Sequence, residues 1–173
     1  MNEYSIFTAM SLEFKNATPE DLPYIVEIYN SIIPGGQITA DLNPVTVADW
    51  TPWFEQHKGD KRPIWILLVD GTACGWMSFT DYKSRTAYEG TAEISIYLDE
   101  HSRGKGLGEK FIRLGLSEMR QKGLKNVMAV IYAANRPSIK IFENVGFEKW
   151  GLLPKVCEVR GEEKDVVILG IRL

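Results

Sequence analysis

Between residues 91 and 98 apolar and polar positions alternate without a break. Ala92, Ile94, Ile96 and Leu98 fall on one face, and Glu93, Ser95 and Tyr97 fall on the other, which predicts a strand with one face on a core. The period then changes. Leu107, Phe111, Ile112, Leu114, Leu116 and Met119 recur at helical spacing, and Gly123 stands where that helix should stop. Upstream, Leu12-Glu13-Phe14 reads as a short strand. Thr18-Pro19-Glu20-Asp21 is a helix-start signal, followed by the stripe Leu22, Ile25, Val26 and Tyr29. Thr46 caps a second helical segment carrying Trp50, Trp53 and Phe54, aromatics expected on its exposed side. The unbroken apolar run Ile64 to Val69 predicts a strand buried on both faces. Asp70-Gly71 signals a hairpin, with Thr72 to Phe79 as its return. Asn126 to Tyr132 is a further strand, Asn135 to Ser138 starts a short helix that Gly146 closes, and Phe147–Leu152 and Val166–Leu173 are expected to be the last two strands. The order β-α-α-β-β-β-α-β-α-β-β predicts an α+β fold, a sheet with helices on its faces.

Composition narrows the function. The chain has 173 residues with a net charge of −3, enough length for one ordinary domain and no basic excess of the kind a nucleic-acid binder carries. Residues 12–173 read as a single domain, preceded by a flexible leader over residues 1–11, and Met10 is an alternative start to Met1. No apolar run reaches the ~20 residues of a membrane helix, and the N-terminus lacks a secretory pattern. The two cysteines, Cys74 and Cys157, suggest neither a zinc site nor a disulfide, so no metal and a reducing, cytoplasmic setting are expected.

The strongest chemical signal lies between the alternating strand and the long helix: Arg103-Gly104-Lys105-Gly106-Leu107-Gly108. Gly104, Gly106, Leu107, Gly108 and Glu109 offer backbone N–H groups at the positive end of a helix, and Arg103 and Lys105 add charge. That is a cradle for a pyrophosphate. It is not a P-loop, because no Ser or Thr follows Lys105, and its glycines have the wrong spacing for the dinucleotide fingerprint.

This cradle, with Asn135 before a short helix and Gly146-Phe147 after it, resembles the GNAT superfamily of acetyl-coenzyme A-dependent N-acetyltransferases. Within it, Tyr29-Asn30-Ser31, Pro44-Val45-Thr46, Trp53-Phe54, Trp76-Met77-Ser78-Phe79, Thr91-Ala92-Glu93 and Asn135-Arg136-Pro137-Ser138-Ile139 are similar to the phosphinothricin and methionine sulfoximine acetyltransferase branch. The resemblance implies a mixed, mostly antiparallel central sheet, acetyl-CoA as cosubstrate, a small amino-acid-like amine as acceptor, and a homodimer. It implies that the main chain of Ile96 and Leu98, with Tyr97 between them, meets the pantetheine arm, with Asn135 and Ser138 beside it. Asn135 reads equally well as a plain helix cap.

The same resemblance makes Glu93 the candidate general base and brings a basic residue of the loop ahead of it, Arg85 or Lys83, to the acceptor; Phe79 and Tyr88 read equally well as walls of a small pocket or as core and hairpin packing. Trp76 could join the two aromatics as a pocket wall. Where the family carries a tyrosine or histidine as proton donor to the thiolate, this chain has Phe142, which cannot donate. Tyr97 and Tyr132 are alternative donors, and both also read as strand aromatics. That missing donor keeps a coenzyme A sensor without turnover in play. The loop Gln37-Ile38-Thr39-Ala40-Asp41 departs from the branch's pattern, which leaves a protein N-terminus, a polyamine or an aminoglycoside open as acceptor.

Overall fold

The computed structural model describes residues 10–57, 59 and 61–173. Seven strands, β1 (Leu12–Asn16), β2 (Ile64–Val69), β3 (Thr72–Asp81), β4 (Thr91–Leu98), β5 (Asn126–Tyr132), β6 (Glu148–Val159) and β7 (Glu162–Arg172), form one sheet in the order β1-β2-β3-β4-β5-β7-β6. The order of elements is the one the periodicity predicts. Every neighbouring pair is antiparallel except β4 and β5. Most of the leader lies outside the described residues. Ser11 is already tied to the hairpin turn, its N–H donating to Asp70 Oδ1 at 2.8 Å.

Helices α1 (Leu22–Ile32) and α2 (Val47–Gln56) cover one face of the sheet, and α3 (Leu107–Gln121) and α4 (Arg136–Val145) cover the other. The α3/α4 layer buries Met77, Phe79, Ala92, Ile94, Phe111 and Ile112. On the α1/α2 side Ile25, Ile28, Phe54, Ile66 and Trp76 form a smaller core. The opposite parities of Ile94 and Tyr97 therefore send their side chains into different layers.

Two expectations need correction. The α2 aromatics do not form an exposed face. Phe54 is buried, and the half-buried Trp50 and Trp53 turn inward, with ring centroids 4.7 Å apart and Trp53 5.8 Å from Trp76. The last two strands are also far longer than expected and form a hairpin turning at Arg160-Gly161. Pro154 and the charged run from Arg160 to Asp165 hide this strand pair from periodicity. The structure absorbs Pro154 in a register shift between Leu153 and Cys157, where the Lys155 N–H donates to Asp165 Oδ1 at 2.8 Å, and Glu162 to Lys164 pair in register with Val159 to Cys157.

Candidate active site

β4 and β5 are hydrogen-bonded only over Thr91, Ala92 and Glu93, opposite Asn126, Val127 and Met128. Beyond Glu93 the two strands part. Both are parallel and each heads for its own helix, α3 or α4, so a wedge opens between them. The β5-facing main chain of the outer half of β4 then lacks the ladder a central strand normally has.

A cleft of about 730 Å³ fills this wedge. All the cofactor residues expected from the sequence line it except Lys105, which stands in the exposed turn. Gly104 and Gly106 hold φ of 73° and 71°. Nothing lies within 4 Å of a Cβ built on either, so these glycines are required for the left-handed backbone and not for space. Gly106 is the N-cap of α3 and brings no side chain to it, which leaves the first amides of the helix facing the cleft. Arg103 folds back along the strand, its Nε donating to the Leu98 carbonyl at 3.0 Å.

Asn135 does cap α4. Its Oδ1 accepts the Ser138 N–H at 3.2 Å, and the residue lines the cleft as well. Phe142 is buried, its ring centroid 4.9 Å from that of Phe147, and carries no polar atom into the cleft. Ile32, Ile38 and Ile141 also line the cleft; sequence reasoning missed them. Ile38 sits in the loop that departs from the family pattern. The Tyr29 hydroxyl holds that loop, donating to Asp41 Oδ2 at 2.5 Å and sharing a hydrogen bond with Thr39 Oγ1.

Glu93 is on the other side of the same strand, half-buried, facing away from the α3/α4 core. Its carboxyl forms no hydrogen bond or ion pair among the described residues, and burial raises its pKa above the ordinary glutamate value. Tyr97, two strand pairs further along the same face, packs on Trp76 at 4.6 Å and on Tyr29 at 5.6 Å. Burial pushes its hydroxyl up to about 12. The Tyr132 hydroxyl is buried beside Val159, Val166 and Cys157, at the end of β5 that has parted from β4.

The acceptor residues expected from the sequence scatter. Phe79 is fully buried, 5.6 Å from Trp65 in the α3/α4 layer, so it cannot wall an acceptor pocket. Trp76 is likewise buried, under α1 and α2. Both lie in a strand covered on both sides, which hydropathy could not assign to a face. Tyr88 is exposed and lines a second cleft, while Arg85 starts the short 3-10 turn Thr86–Tyr88 and points to no cleft described here. The loop carrying both is anchored by a residue the sequence did not flag. The buried Arg62 pairs with Asp81 at 2.7 Å and donates to the Glu89 carbonyl at 2.7 Å.

Cys74 is buried, with its thiol pushed up to about 11 by desolvation, and is no nucleophile. His57 is half-buried against Trp53 and His101 is exposed; neither approaches the wedge residues in any hydrogen bond. No group of His, Cys, Asp and Glu among the described residues could hold a metal ion. No helix among them is long and apolar enough to cross a membrane.

The acetyltransferase (GNAT) family profile matches residues 23–147. YwnH of Bacillus subtilis, named as a candidate phosphinothricin acetyltransferase, is 41% identical over 91% of this chain and 96% of its own. The L-methionine sulfoximine/L-methionine sulfone acetyltransferase of Pseudomonas aeruginosa is 32% identical over 95% of this chain and 96% of its own. A phosphinothricin acetyltransferase from Sinorhizobium meliloti, solved in complex with acetyl-CoA, superposes with a TM-score of 0.86 at 28% identity, covering 94% of this chain and 88% of that one. The divergence of β4 and β5, the glycine turn at the head of α3 and these likenesses agree: the chain belongs to the GNAT acetyltransferase family and is an acetyl-CoA-dependent N-acetyltransferase.

Proposed function

We propose that this enzyme acetylates the amine of a small, amino-acid-like acceptor of the phosphinothricin or methionine sulfoximine type, with Glu93 as general base. One observation carries the reading. Glu93 is the last residue of β4 paired with β5, on the sheet face turned away from the α3/α4 core, and the cleft lined by Ile96 to Leu98 begins beyond it where the two strands part. Donor and acceptor can therefore approach from opposite sides and meet in a ternary complex, with no acetyl-enzyme. The relatives' names supply the acceptor class.

The cleft suits coenzyme A. Amides of a pantetheine arm can pair with the main chain of Ile96 to Leu98 as an added strand would. The turn and the head of α3 can hold the diphosphate, with charge from Arg103 and Lys105. Asn135 keeps its Nδ2 free for the arm while its Oδ1 caps α4. Acetyl-CoA supplies an activated acyl thioester.

An alkyl ammonium holds its proton up to about pH 10.4, so a base is needed near neutrality. The Glu93 carboxylate takes that proton, directly or through one water, and its raised pKa brings it closer to the working range. The nitrogen lone pair then attacks the thioester carbonyl carbon. The new C–N bond forms, the C–S bond breaks, and the sulfur leaves with the electron pair. A thiol pKa near ~8.5 lets that thiolate leave and collect its proton from water, so Phe142 costs the reaction little.

The protein is read as a cytoplasmic homodimer. Leu152, Leu153 and Val156 of the edge strand β6 are each more than 40% exposed, apolar surface on an open sheet edge that suits a partner copy. Sedimentation velocity at micromolar concentration should give a dimer mass.

The function is tested by thiol release from acetyl-CoA across a panel of amines. Methionine sulfoximine and phosphinothricin should be among the fastest acceptors. Fast release only with polyamines, aminoglycosides or peptide N-termini would overturn the acceptor class.

A further inference from the structure

The loop between α1 and α2 crosses the wedge on the Glu93 face of the sheet, and it is fastened on both sides of the crossing. On the β4 side the fastening is Tyr29. Its ring packs on Tyr97 of β4 at 5.6 Å, and its hydroxyl donates to Asp41 Oδ2 at 2.5 Å and shares a hydrogen bond with Thr39 Oγ1. Tyr29 and Thr39 are both buried. On the β5 side the fastening is the turn of the β6/β7 hairpin. Arg160 Nη1 donates to the Pro34 carbonyl at 2.9 Å, across 126 positions of sequence. Next to it, a Cβ built on Gly36 would stand 3.6 Å from Val159, which packs with Tyr132 at the parted end of β5.

Ile38 stands between these fastenings, two residues after Gly36 and one before Thr39. It lines the cofactor cleft together with Ile96, Tyr97 and Leu98 and is 43% exposed there. The dimensions fit a crossing. A pantetheine arm paired with β4 as an added strand takes one strand position, so β4 and β5 flank it about 10 Å apart. The three steps of residues 36–39 reach about 10 Å when extended. A bound arm therefore runs beneath Ile38. The arm carries apolar carbons, the methyls of its pantoate unit above all, and they would take the exposed isoleucine out of water. A loop held only for its own stability needs no apolar side chain exposed into the cleft.

We propose that this loop is a strap over the pantetheine arm, in which Ile38 packs on the arm and Tyr29 and Arg160 are positioning residues that hold it there. The proposal rests on the seat of coenzyme A proposed above and is independent of the acceptor. It assigns residues 37–41, where the chain departs from the pattern of its branch, to the cosubstrate and not to the amine.

Calorimetry tests it by comparing coenzyme A with phosphoadenosine diphosphate, the same nucleotide without the arm. Ile38→Ser should weaken coenzyme A about 3- to 20-fold and leave the nucleotide within about twofold of wild type, which also reports a folded variant. Gly106→Ala, at the diphosphate turn, should weaken both ligands. Arg160→Gln and Tyr29→Phe should each weaken coenzyme A about 2- to 10-fold, with part of the loss recovered in Arg160→Lys. In an Ile38→Ser background those two losses should shrink below about twofold, because the strap then holds nothing against the arm. Losses that persist there would remove Tyr29 and Arg160 as positioning residues. Unchanged coenzyme A affinity in Ile38→Ser beside a loss in Gly106→Ala, or equal losses of both ligands in Ile38→Ser, would overturn the strap and leave the seat standing. No loss of either ligand in Ile38→Ser or Gly106→Ala would overturn the seat as well.

Discussion

A carboxyl on a strand face is ordinary; one that is half-buried without a partner carries an energetic penalty that calls for a use. Glu93→Gln should keep acetyl-CoA affinity in calorimetry and cut turnover at least tenfold, within the ~10²–10⁴-fold usual for general bases. Unchanged turnover would remove Glu93 from the mechanism. As the proposed base, Glu93 works ionised, so kcat should fall as pH drops through its raised pKa, and that acid limb should be missing in Glu93→Gln. Stability runs the other way. A raised folded-state pKa means the fold favours the protonated carboxyl, so its contribution is present below the unfolded value near ~4.3 and is lost as pH rises through the folded value. Glu93→Gln should therefore melt higher than wild type at pH 7, with the gain disappearing by about pH 4. Strand alternation already placed Glu93 opposite Ile94 in sequence. Its desolvation was not legible, because that depends on what β3, β5 and the neighbouring loop bring over it.

At the scale of elements, the cradle depends on backbone conformation. Gly106 needs a left-handed φ in open space, so Gly106→Ala should cost about 1–2 kcal/mol of strain and weaken acetyl-CoA binding about 5- to 30-fold. Gly106→Asn, which tolerates that region, should recover most of the affinity. Calorimetry on the two variants decides; equal losses would mean that bulk, not conformation, matters at this position. The motif, its strand and its helix were all legible, since glycine spacing and a change from period 2 to period 3.6 are local signals. The β6/β7 hairpin was only half legible. Proline and a charged run broke the alternation, and the register shift that accommodates them exists only once β7 is paired.

For the whole molecule, the Glu93 face of the sheet is assembled from distant segments, and Arg62 holds one of them. Its guanidinium meets the Asp81 carboxylate and the carbonyls of Glu89 and Thr91, clamping both ends of the loop that carries Tyr82 and Tyr88. Arg62→Met should lower stability by about 1–3 kcal/mol, because the half-buried carbonyls of Glu89 and Thr91 lose their donor and the Asp81 carboxylate its partner. Amide exchange in residues 82–90 should speed up beyond the global change. Exchange rising evenly across the sheet would show that Arg62 supports the core and not the loop. Nothing in the sequence marked Arg62, whose partners in the loop are 19 to 29 positions away and come close only in the sheet.

Element order, the family's glycine turn and the strand that carries Glu93 follow from the sequence itself, because periodicity, caps and turn residues act over a few neighbours. Tertiary structure alone decided which layer received Phe79 and Trp76, where β4 leaves β5, and that Arg172, at the far end of the chain, stands level with Asn126 and Thr91 in the sheet. These depend on strand register and on which elements cover each face, and such long-range pairings leave no local mark on the residues that make them.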